Sequence, residues 1–403
     1  MADPLPLEGL RILDIGTRIG APFAATLLAD FGAEVIKVEQ PGTGDFMRQI
    51  GPFEGGYSLW WAVEGRNKKS ITLDLRKPAG RDILKKLVVH ADAMVENFKP
   101  GTLEKWGLGP DVLETINPRL VLSRVSVYGQ TGPYASRPGL DRNGIAMGGL
   151  LHVTGYKDRP PVRPGIIVSD YLTGLFNAFS LVIALYHRDA GAGRNEGRGQ
   201  VVDLALYSSI LRIMEHTVAA YDRLGVVRGR EGNRLANSAP LDNWETADGE
   251  YVSLIAAGDG LFPRLARLIG REDLLGNPKF SSLGARAENS DEINQIVADW
   301  CRARTADEIE ALALKADVPF ARTMTVADIC ADPHIAARGD LQTVDDPVVG
   351  PVRMQGVYPR FSRTPGAIRS GAPELGAHNE EVYRGLLGLS SDEIARLAKD
   401  GVV

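Results

Sequence analysis

The opening segment constrains the fold more than any other part of this chain of 403 residues. Residues 10–15 (LRILDI) and 34–39 (EVIKVE) are short apolar runs of the kind that form buried strands. Between them, residues 23–30 are rich in Ala and Leu, which is typical of a helix, and Gly32 follows directly. The order strand, helix, strand predicts the opening of a doubly wound parallel sheet.

Later segments continue the same alternation of strand and helix. A third strand is predicted at 70–75, and the next helix begins at Pro78, a residue favoured in the first turn. The same patterns predict three further strands and a long helix, at 93–98, 120–125, 200–204 and about 206–224. We therefore expect a large α/β domain at residues 1–225.

The composition changes near residue 225. An Asp-Gly pair within residues 244–251 predicts a hairpin. Short amphipathic helices are predicted at about 259–269, 290–303 and 305–316, with capping boxes at Thr305/Glu308 and, near the C-terminus, at Ser390/Glu393. These patterns predict a smaller α+β domain at 226–335, followed by a C-terminal segment, 336–403, with a strand at 352–357 and two final helices.

The segment around Asp170 joins two different patterns. Residues 165–168 form a short apolar run that predicts a strand, and residues 172–186 are apolar almost all round, which predicts a helix buried in a core. As a helix cap, Asp170 would accept hydrogen bonds from free backbone N–H groups. As a nucleophile it would gain from the positive helix end, which favours the ionised carboxylate. The local pattern leaves both interpretations open.

Composition excludes several classes of function. A hydrophobic content of 44% supports a large core, and a net charge of −5 gives no basic surface for nucleic acid or anionic lipid. The apolar run at 172–186 is shorter than a membrane span and contains polar residues, so we expect no membrane segment. Cys301 and Cys330 lie in no metal or redox spacing, and the N-terminus has no secretion signal, so we expect a cytoplasmic protein.

Familiar catalytic and cofactor motifs are missing from the sequence. None of the six histidines pairs at H-x-x-x-H spacing, and neither a G-x-S-x-G elbow nor a P-loop lysine motif occurs, so no metal site is expected. Glu39 ends the second predicted strand, where a dinucleotide-binding fold would place a ribose-binding acid. The preceding loop, GTRIGA, lacks the G-x-G-x-x-G pattern, which argues against that site. The alternative is that Glu39 is a solvated strand end.

Cations and an amide follow the ends of the predicted strands. In open parallel sheets, ligands bind beyond the carboxyl ends of the strands. These side chains would suit a phosphorylated ligand, although ordinary surface charge remains the alternative. The residues are Arg18, Arg76, Asn97, Lys99 and Lys105.

Several longer motifs together resemble one known family. They are LEGLRILDIG, GAPFAATLLADFGAEVIKVEQPGTGD, NKKSITLDL, VENFKPGTLEKWGL, YGQTGPY, VSDYLTG, GRGQVVDLAL and LGAHNEEVYRGLLGLSSDEI. In this order and over this length, the chain resembles the class III CoA-transferases, the family of formyl-CoA transferase and crotonobetainyl-CoA:carnitine CoA-transferase. The fold of α-methylacyl-CoA racemase belongs to the same group.

The resemblance implies both an architecture and a reaction. It implies a Rossmann-like large domain with a parallel sheet, a smaller domain, and a C-terminal return in which residues 336–403 complete the large domain. Two such subunits would interlock as a homodimer, with the active site between the large domain of one and the small domain of the other. The substrates would be an acyl-CoA and a free carboxylic acid, with no permanently bound cofactor, and succinyl-CoA is a common donor.

The resemblance also implies roles for individual residues. Asp170 takes the place of the catalytic aspartate, which forms an aspartyl anhydride and then an aspartyl-CoA thioester. Asp141 would position Asp170 or a substrate, or would simply cap the following helix. Contacts to coenzyme A are implied for Leu73 and Arg76 on the adenine side, for Asn97, Phe98, Lys99 and Lys105 near the phosphates, and for Arg18 in the first loop.

Two alternatives stay open at this point. The racemase uses a histidine in a Gly-His-Asp sequence, and the corresponding stretch here is Gly139-Leu140-Asp141. Because leucine cannot exchange a proton, this position favours the transferase over a 2-methylacyl-CoA racemase or epimerase. Some members of the family work as two unlike subunits, so the chain could also be one half of a heteromer.

Overall fold

The structure, a computed structural model, describes residues 4–190 and 197–403. Contacts divide the described residues into two compact units, the first within the limits 1–150, 164–223 and 334–403, the second within 151–163 and 224–333. The boundaries expected at residues 225 and 335 lie beside two of these limits, whereas the sequence did not anticipate the membership of 151–163. As a statement about separate domains, the division remains a prediction.

The elements alternate along the chain. Up to residue 153 they are β1 (Arg11–Asp14), α1 (Pro22–Asp30), β2 (Glu34–Glu39), β3 (Phe53–Glu54), β4 (Tyr57–Ser58), α2 (Leu59–Glu64), β5 (Lys68–Thr72), α3 (Pro78–Val89), β6 (Ala93–Glu96), α4 (Thr102–Lys105), α5 (Pro110–Ile116), β7 (Val121–Ser126), α6 (Asp141–Met147) and α7 (Leu150–Val153).

The remaining elements run from the long helix α8 to the C-terminus. They are α8 (Val168–Ala190), β8 (Val201–Ala205), α9 (Leu206–Arg212), α10 (Thr217–Leu224), β9 (Leu241–Glu245), β10 (Tyr251–Ile255), α11 (Phe262–Leu268), α12 (Leu283–Glu288), α13 (Ser290–Arg302), α14 (Ala306–Ala316), β11 (Phe320–Arg322), α15 (Val326–Ala331), α16 (Pro333–Arg338), β12 (Leu341–Asp346), β13 (Gly350–Gln355) and α17 (Ser391–Lys399). A π-helical turn lies at Glu381–Leu386.

The first unit is built on a six-stranded sheet in the order β5-β2-β1-β6-β7-β8, with every pairing parallel. Counted along the chain, these six strands follow the order 3-2-1-4-5-6, which is that of the Rossmann fold. The predicted doubly wound α/β fold is therefore confirmed. The order reverses between β1 and β6, and ligands bind at such a switch point.

The core of this unit explains why the strands lie where they do. Leu13, Ile36 and Met94 are fully buried on adjacent strands. Helix α3 covers them with the predicted stripe of Ile83, Leu84, Leu87 and Val88. Burial of both sheet faces explains the continuous apolar runs that characterise parallel strands in the sequence.

Two strands end earlier than predicted, because the residues that follow them make other contacts. The third strand was expected at 70–75, but β5 ends at Thr72, and the Asp74 N–H donates to the carbonyl of Val402 at 2.8 Å. The fourth was expected at 93–98, but β6 ends at Glu96. The next residue, Asn97, turns its side chain to the loop after β1.

The long helix predicted at about 206–224 is wrong, because the chain forms two helices, α9 and α10. Glu215, between them, has a left-handed backbone with φ of 50°, which no helix can continue through. In the second unit, the predicted hairpin is confirmed as β9 and β10, with Gly249 at φ 78° in the turn. Both predicted capping boxes, at Thr305 and at Ser390, are present.

Helix α8 differs from the sequence expectation in two respects. Residues 165–167 are not a strand, because the helix already begins at Val168. The expectation of burial on all sides is also wrong for the single chain. Leu181, Ala184 and Leu185 are buried, but a second face is exposed, with Leu175 at 52%, Phe179 at 63%, Ile183 at 49% and Tyr186 at 73%, along with Val182.

Length and apolar composition alone would allow α8 to cross a membrane, and among the described helices only this one meets that test. The face that is buried packs on α1 and α9 of the same unit. The exposed apolar face of α8 is therefore also consistent with a core helix whose second face is covered by another protein chain.

Candidate active site

The loop after β1, Gly16–Gly20, lies at the switch point and is held from both sides. The side chain of Asn97, which follows β6, accepts a hydrogen bond from the Thr17 N–H at 2.8 Å and donates to the Thr17 carbonyl at 2.7 Å. From the neighbouring strand β2, the Lys37 ammonium group donates to the Gly16 carbonyl at 2.5 Å. The loop therefore has a fixed backbone at the point where a ligand is expected.

Lys37 belongs to a buried charge network that the sequence did not reveal. Its ammonium group lies 3.3 Å from Asp14 and 2.8 Å from Asp45, and Lys68 adds a second contact to Asp14 at 2.9 Å. Burial alone would lower the pKa of Lys37, but the attraction of Asp14 and Asp45 raises it overall. The signal was the alternation of charge within the buried strand EVIKVE, since a buried lysine needs a partner.

Glu39, at the end of β2, is not the solvated strand end that the sequence allowed. It is 3% exposed, and its carboxylate accepts two hydrogen bonds from Arg48, both at 2.7 Å, and one from the Ser70 hydroxyl at 2.6 Å. It also accepts the Asp45 N–H at 2.8 Å. The interpretation as a solvated residue is wrong because Arg48, nine residues later, folds back over this strand end.

Asp170 is the third residue of α8, inside its first turn. The preceding N–H, of Ser169, donates to the Asp141 carboxylate at 2.8 Å, and the Ser169 hydroxyl donates to the same oxygen at 2.8 Å. Asp141 therefore caps the start of α8, although it lies in α6. The carboxylate of Asp170 is not needed as the cap of this helix. This contact was missed because the two residues are far apart in sequence.

Burial raises the pKa of Asp170 to about 6, and the nearby negative charge of Asp141 adds to the effect. A hydrogen bond from the backbone N–H of Gly20 and the charge of Arg18 act in the opposite direction and lower this pKa. A side chain at Gly20 would place its Cβ 3.1 Å from Asp170 Oδ1. Such a contact is tighter than most, so glycine at this position favours the close approach of the loop backbone to the carboxylate.

Tyr171 connects the residue after Asp170 to helix α2. Its hydroxyl donates to Glu64 at 2.8 Å and accepts a hydrogen bond from the Trp60 indole at 2.9 Å. Its ring packs edge-on against Phe23, with centroids 4.8 Å apart. Burial raises the pKa of the Glu64 carboxyl. These contacts hold the first turn of α8, and no sequence motif indicated them.

Arg18 lies in the fixed loop with a left-handed backbone, φ 64°. Its N–H donates to Asp45 at 3.0 Å, and its guanidinium group stacks on the Phe46 ring, 4.4 Å from the centroid. Because a residue other than glycine is strained in this conformation, the surrounding contacts must maintain it.

A cavity of about 250 Å³ opens beside this loop, at the carboxyl ends of β1, β2 and β5. Three of the residues expected to bind coenzyme A line it, namely Leu73, Arg76 and Phe98. Phe98 packs edge-on against Trp106, which also lines the cavity, with centroids 5.2 Å apart. Arg76 pairs with Asp74 through two contacts of 2.9 Å, while most of its side chain stays exposed.

Other expected coenzyme A residues are placed differently. Lys99 and Lys105 are exposed and lie outside the lining of this cavity. Asn97 has its amide occupied by the Thr17 backbone, and Asp141 has one carboxylate oxygen occupied by Ser169. The contacts of all these residues with coenzyme A remain predictions. Within residues 4–190 and 197–403, no three His, Cys, Asp or Glu side chains are grouped as a metal site requires.

Comparison with known proteins identifies the family. Residues 7–379 match CoA-transferase family III. The chain is 44% identical to succinyl-CoA–D-citramalate CoA-transferase of Chloroflexus aurantiacus, over 99% of this chain and 98% of that protein. It is 42% identical to the succinyl-CoA–L-malate CoA-transferase beta subunit of the same organism, with the same coverage.

A solved structure gives the same result. The crystal structure of a CaiB/BaiF family protein from Brucella suis superposes with a TM-score of 0.84 at 32% identity, covering 95% of this chain and 100% of that one. The chain belongs to CoA-transferase family III. It is therefore an enzyme that transfers CoA, which confirms the class predicted from the sequence motifs.

Proposed function

We propose that this enzyme moves CoA from succinyl-CoA to a dicarboxylic acid, with Asp170 as the covalent nucleophile. The observation that carries the proposal is the state of the Asp170 carboxylate. It is largely buried beside the Gly20 N–H, and it forms no ion pair with any residue that the structure describes. The relatives named for succinyl-CoA and for citramalate or malate support the choice of donor and acceptor.

The reaction proceeds as two pairs of acyl transfers. The Asp170 carboxylate attacks the thioester carbonyl, the C–S bond breaks, and a mixed anhydride and CoA thiolate are formed. The thiolate attacks the Asp170 carbonyl, which releases succinate and leaves an aspartyl-CoA thioester. The acceptor carboxylate then attacks this thioester, giving a new anhydride and thiolate. Attack of the thiolate on the acceptor carbonyl yields the new acyl-CoA and restores Asp170.

Residues of this chain support those steps in simple ways. The Gly20 N–H stabilises negative charge at Asp170 in the resting state, and a fixed backbone donor can do the same for an oxyanion that develops there. Leu73, Phe98 and Arg76 line a cavity next to this loop, where they would bind the nucleotide end of coenzyme A. Burial of Asp170 limits hydrolysis of the anhydride, because water has little access to it.

Trapping the intermediate tests the proposal. Purified protein incubated with succinyl-CoA should gain the mass of the aspartyl-CoA adduct, and hydroxylamine should modify Asp170 and stop turnover. Asp170→Ala should bind CoA but lose CoA exchange by about 1,000-fold or more. Substantial exchange by that variant, or wild-type turnover with no adduct on Asp170, would disprove the mechanism.

The apolar face of α8 supports the expected interlocked homodimer. Phe179, Ile183 and Tyr186 are exposed side by side on one helix, which is typical of a surface covered by another chain. Ile183→Asp should block assembly, whereas Leu314→Asp, at an exposed leucine of α14, should not. Sedimentation then distinguishes the dimer from the 43.5 kDa monomer. A monomeric wild-type enzyme with full activity would contradict the dimer.

A heteromer is the second possible assembly, because the malate relative is a beta subunit. If the purified chain forms an active homodimer, the heteromer is excluded for this activity. If it forms an inactive species that gains activity with a second subunit, the heteromer is supported. We place the enzyme in the cytoplasm, where CoA thioesters and free acids would both reach it, and fractionation of cells tests that placement.

A further inference from the structure

We propose that Arg18 binds the second carboxylate of the dicarboxylic acyl group while its first carboxyl carbon reacts at Asp170. The inference rests on the proposed function, since it presupposes a dicarboxylic donor or acceptor. It assigns Arg18 to the acyl group, and not to coenzyme A as the family resemblance implied.

The position of Arg18 is set by the same loop that contacts the nucleophile. Gly20, two residues later, approaches Asp170 so closely that an added Cβ would lie 3.1 Å from its Oδ1. The Arg18 N–H is anchored by Asp45, and the loop as a whole is held by Lys37 and Asn97. Arg18 is therefore carried on a fixed backbone, two residues before the glycine that contacts the reacting carboxylate.

The guanidinium group itself is unused. Among residues 4–190 and 197–403 it takes part in no ion pair or hydrogen bond, and its contact is the Phe46 ring at 4.4 Å. The acidic groups near the loop already have partners, since Asp45 pairs with Lys37 and Glu39 pairs with Arg48. An arginine that keeps its planar donors free beside a reaction centre can bind a carboxylate with two parallel hydrogen bonds.

Arg48 provides an internal contrast. It also stacks on an aromatic ring, with its guanidinium carbon 3.8 Å from the Trp61 centroid, but its donors are taken up by Glu39. The guanidinium group of Arg48 is thus used within the fold, whereas that of Arg18 can still donate hydrogen bonds to a ligand. Arg18 is also absent from the lining of the cavity that Leu73, Arg76 and Phe98 share.

The chemistry of a succinyl group fits this arrangement. Two methylene carbons separate its carboxyl carbons, so the second carboxylate stays near Asp170 as long as the mixed anhydride persists. Arg18 already acts on Asp170, because its charge lowers the pKa of that carboxyl. When Asp170 is acylated, its negative charge disappears. The second carboxylate of the acyl group then becomes the anion that pairs with the Arg18 guanidinium group.

The test compares two donors of equal chain length, succinyl-CoA and butyryl-CoA, which differ in the second carboxylate. Arg18→Gly removes the guanidinium group while suiting the left-handed backbone at φ 64°. We expect kcat/KM to fall about 100-fold for succinyl-CoA and to change less than about twofold for butyryl-CoA. Arg76→Ala is the matched control, expected to raise KM for both thioesters alike.

The outcomes are separable. If Arg18→Gly lowers kcat/KM equally for the two donors, the inference is overturned while the proposed function stands. If the wild-type enzyme does not exchange succinyl-CoA, the proposed function fails, and this inference with it. Should Arg18→Gly prove insoluble, Arg18→Lys keeps the charge without the planar fork, and we expect about a tenfold loss for succinyl-CoA alone. An unchanged donor preference in that variant would also overturn the inference.

Discussion

Asp45 and Asp170 border the same loop, yet the protein treats the two carboxylates differently. Asp45 receives the Arg18 N–H and lies 2.8 Å from the Lys37 ammonium group. Burial alone would raise the pKa of Asp45, but Lys37 lowers it overall. Asp170 receives the Gly20 N–H but has no cation in contact among the described residues, and burial raises its pKa to about 6.

The difference shows how one loop serves both folding and reaction. A buried carboxylate with a cation in contact is held ionised and in place, so it fixes the backbone. A buried carboxylate without such a cation carries an unfavourable charge, and acylation removes that charge. The protein therefore pairs the carboxylate that supports the loop and leaves unpaired the one that we propose to react.

The largest expected effect comes from breaking the ion pair between Lys37 and Asp45. Lys37→Met would leave the buried carboxylate of Asp45 without its cation, and Asp14 with Lys68 alone. We expect the free energy of unfolding to fall by about 3–5 kcal/mol. Urea denaturation measures it. The control is Lys69→Met, whose ion pair with Glu34 is partly exposed, and it should cost less than about 1 kcal/mol. Equal losses for the two variants would contradict the comparison.

The second prediction concerns Asp170, because removing the charge of this unpaired carboxylate should stabilise the protein. The pKa of Asp170 is 3.8 in a model peptide and about 6 in the fold, so the folded state binds more protons between these values. The contribution of Asp170 to wild-type stability therefore decreases as pH rises through that window. Asp170→Asn should be more stable at pH 8 by up to about 3 kcal/mol, and the difference should vanish below about pH 4.

Thermal denaturation of Asp170→Asn and wild type over this pH range checks the second prediction. The control is Asp158→Asn, at an exposed aspartate, which should change the free energy of unfolding by less than about 0.5 kcal/mol. A destabilised Asp170→Asn at pH 8 would show that the carboxylate contributes to folding as Asp45 does.

The third prediction follows from the same pKa but concerns rate. The nucleophile must be ionised, so formation of the Asp170 adduct should be constant above about pH 7. Below the pKa of about 6 the rate should fall about tenfold for each pH unit. Rapid-quench measurements with succinyl-CoA check this. A rate that is independent of pH down to 4.5 would mean that Asp170 has a pKa as low as that of a paired carboxylate.

The smallest expected effect concerns the support of Asp170. Tyr171→Phe keeps the ring on Phe23 but removes the hydroxyl that joins Glu64 and Trp60. We expect kcat to fall about fivefold with KM unchanged, because one hydrogen bond orients the helix turn without touching substrate. Tyr186→Phe, at an exposed tyrosine of the same helix, should leave kcat unchanged. An equal loss of kcat in both variants would contradict a positioning role for the Tyr171 hydroxyl.

The sequence predicted the large sheet well because each strand is a local pattern. The runs at 10–15 and 34–39 correspond to β1 and β2 within a residue, and the capping boxes at Thr305 and Ser390 are confirmed. The motif around Asp170 identified the proposed nucleophile, but not its surroundings. Its neighbour Tyr171 binds Glu64, 107 residues away in sequence, and no local pattern can indicate such a contact.

The amino-acid sequence by itself determined the family, the parallel α/β architecture and the candidate nucleophile, because these depend on short motifs and on the spacing of apolar residues. Only the tertiary structure decided which charges are paired. Lys37 and Lys68 meet Asp14, Asp141 caps a helix to which it does not belong, and Arg18 keeps its donors free. The physical reason is that the charge state of a buried group depends on its distance to partners brought near by the fold.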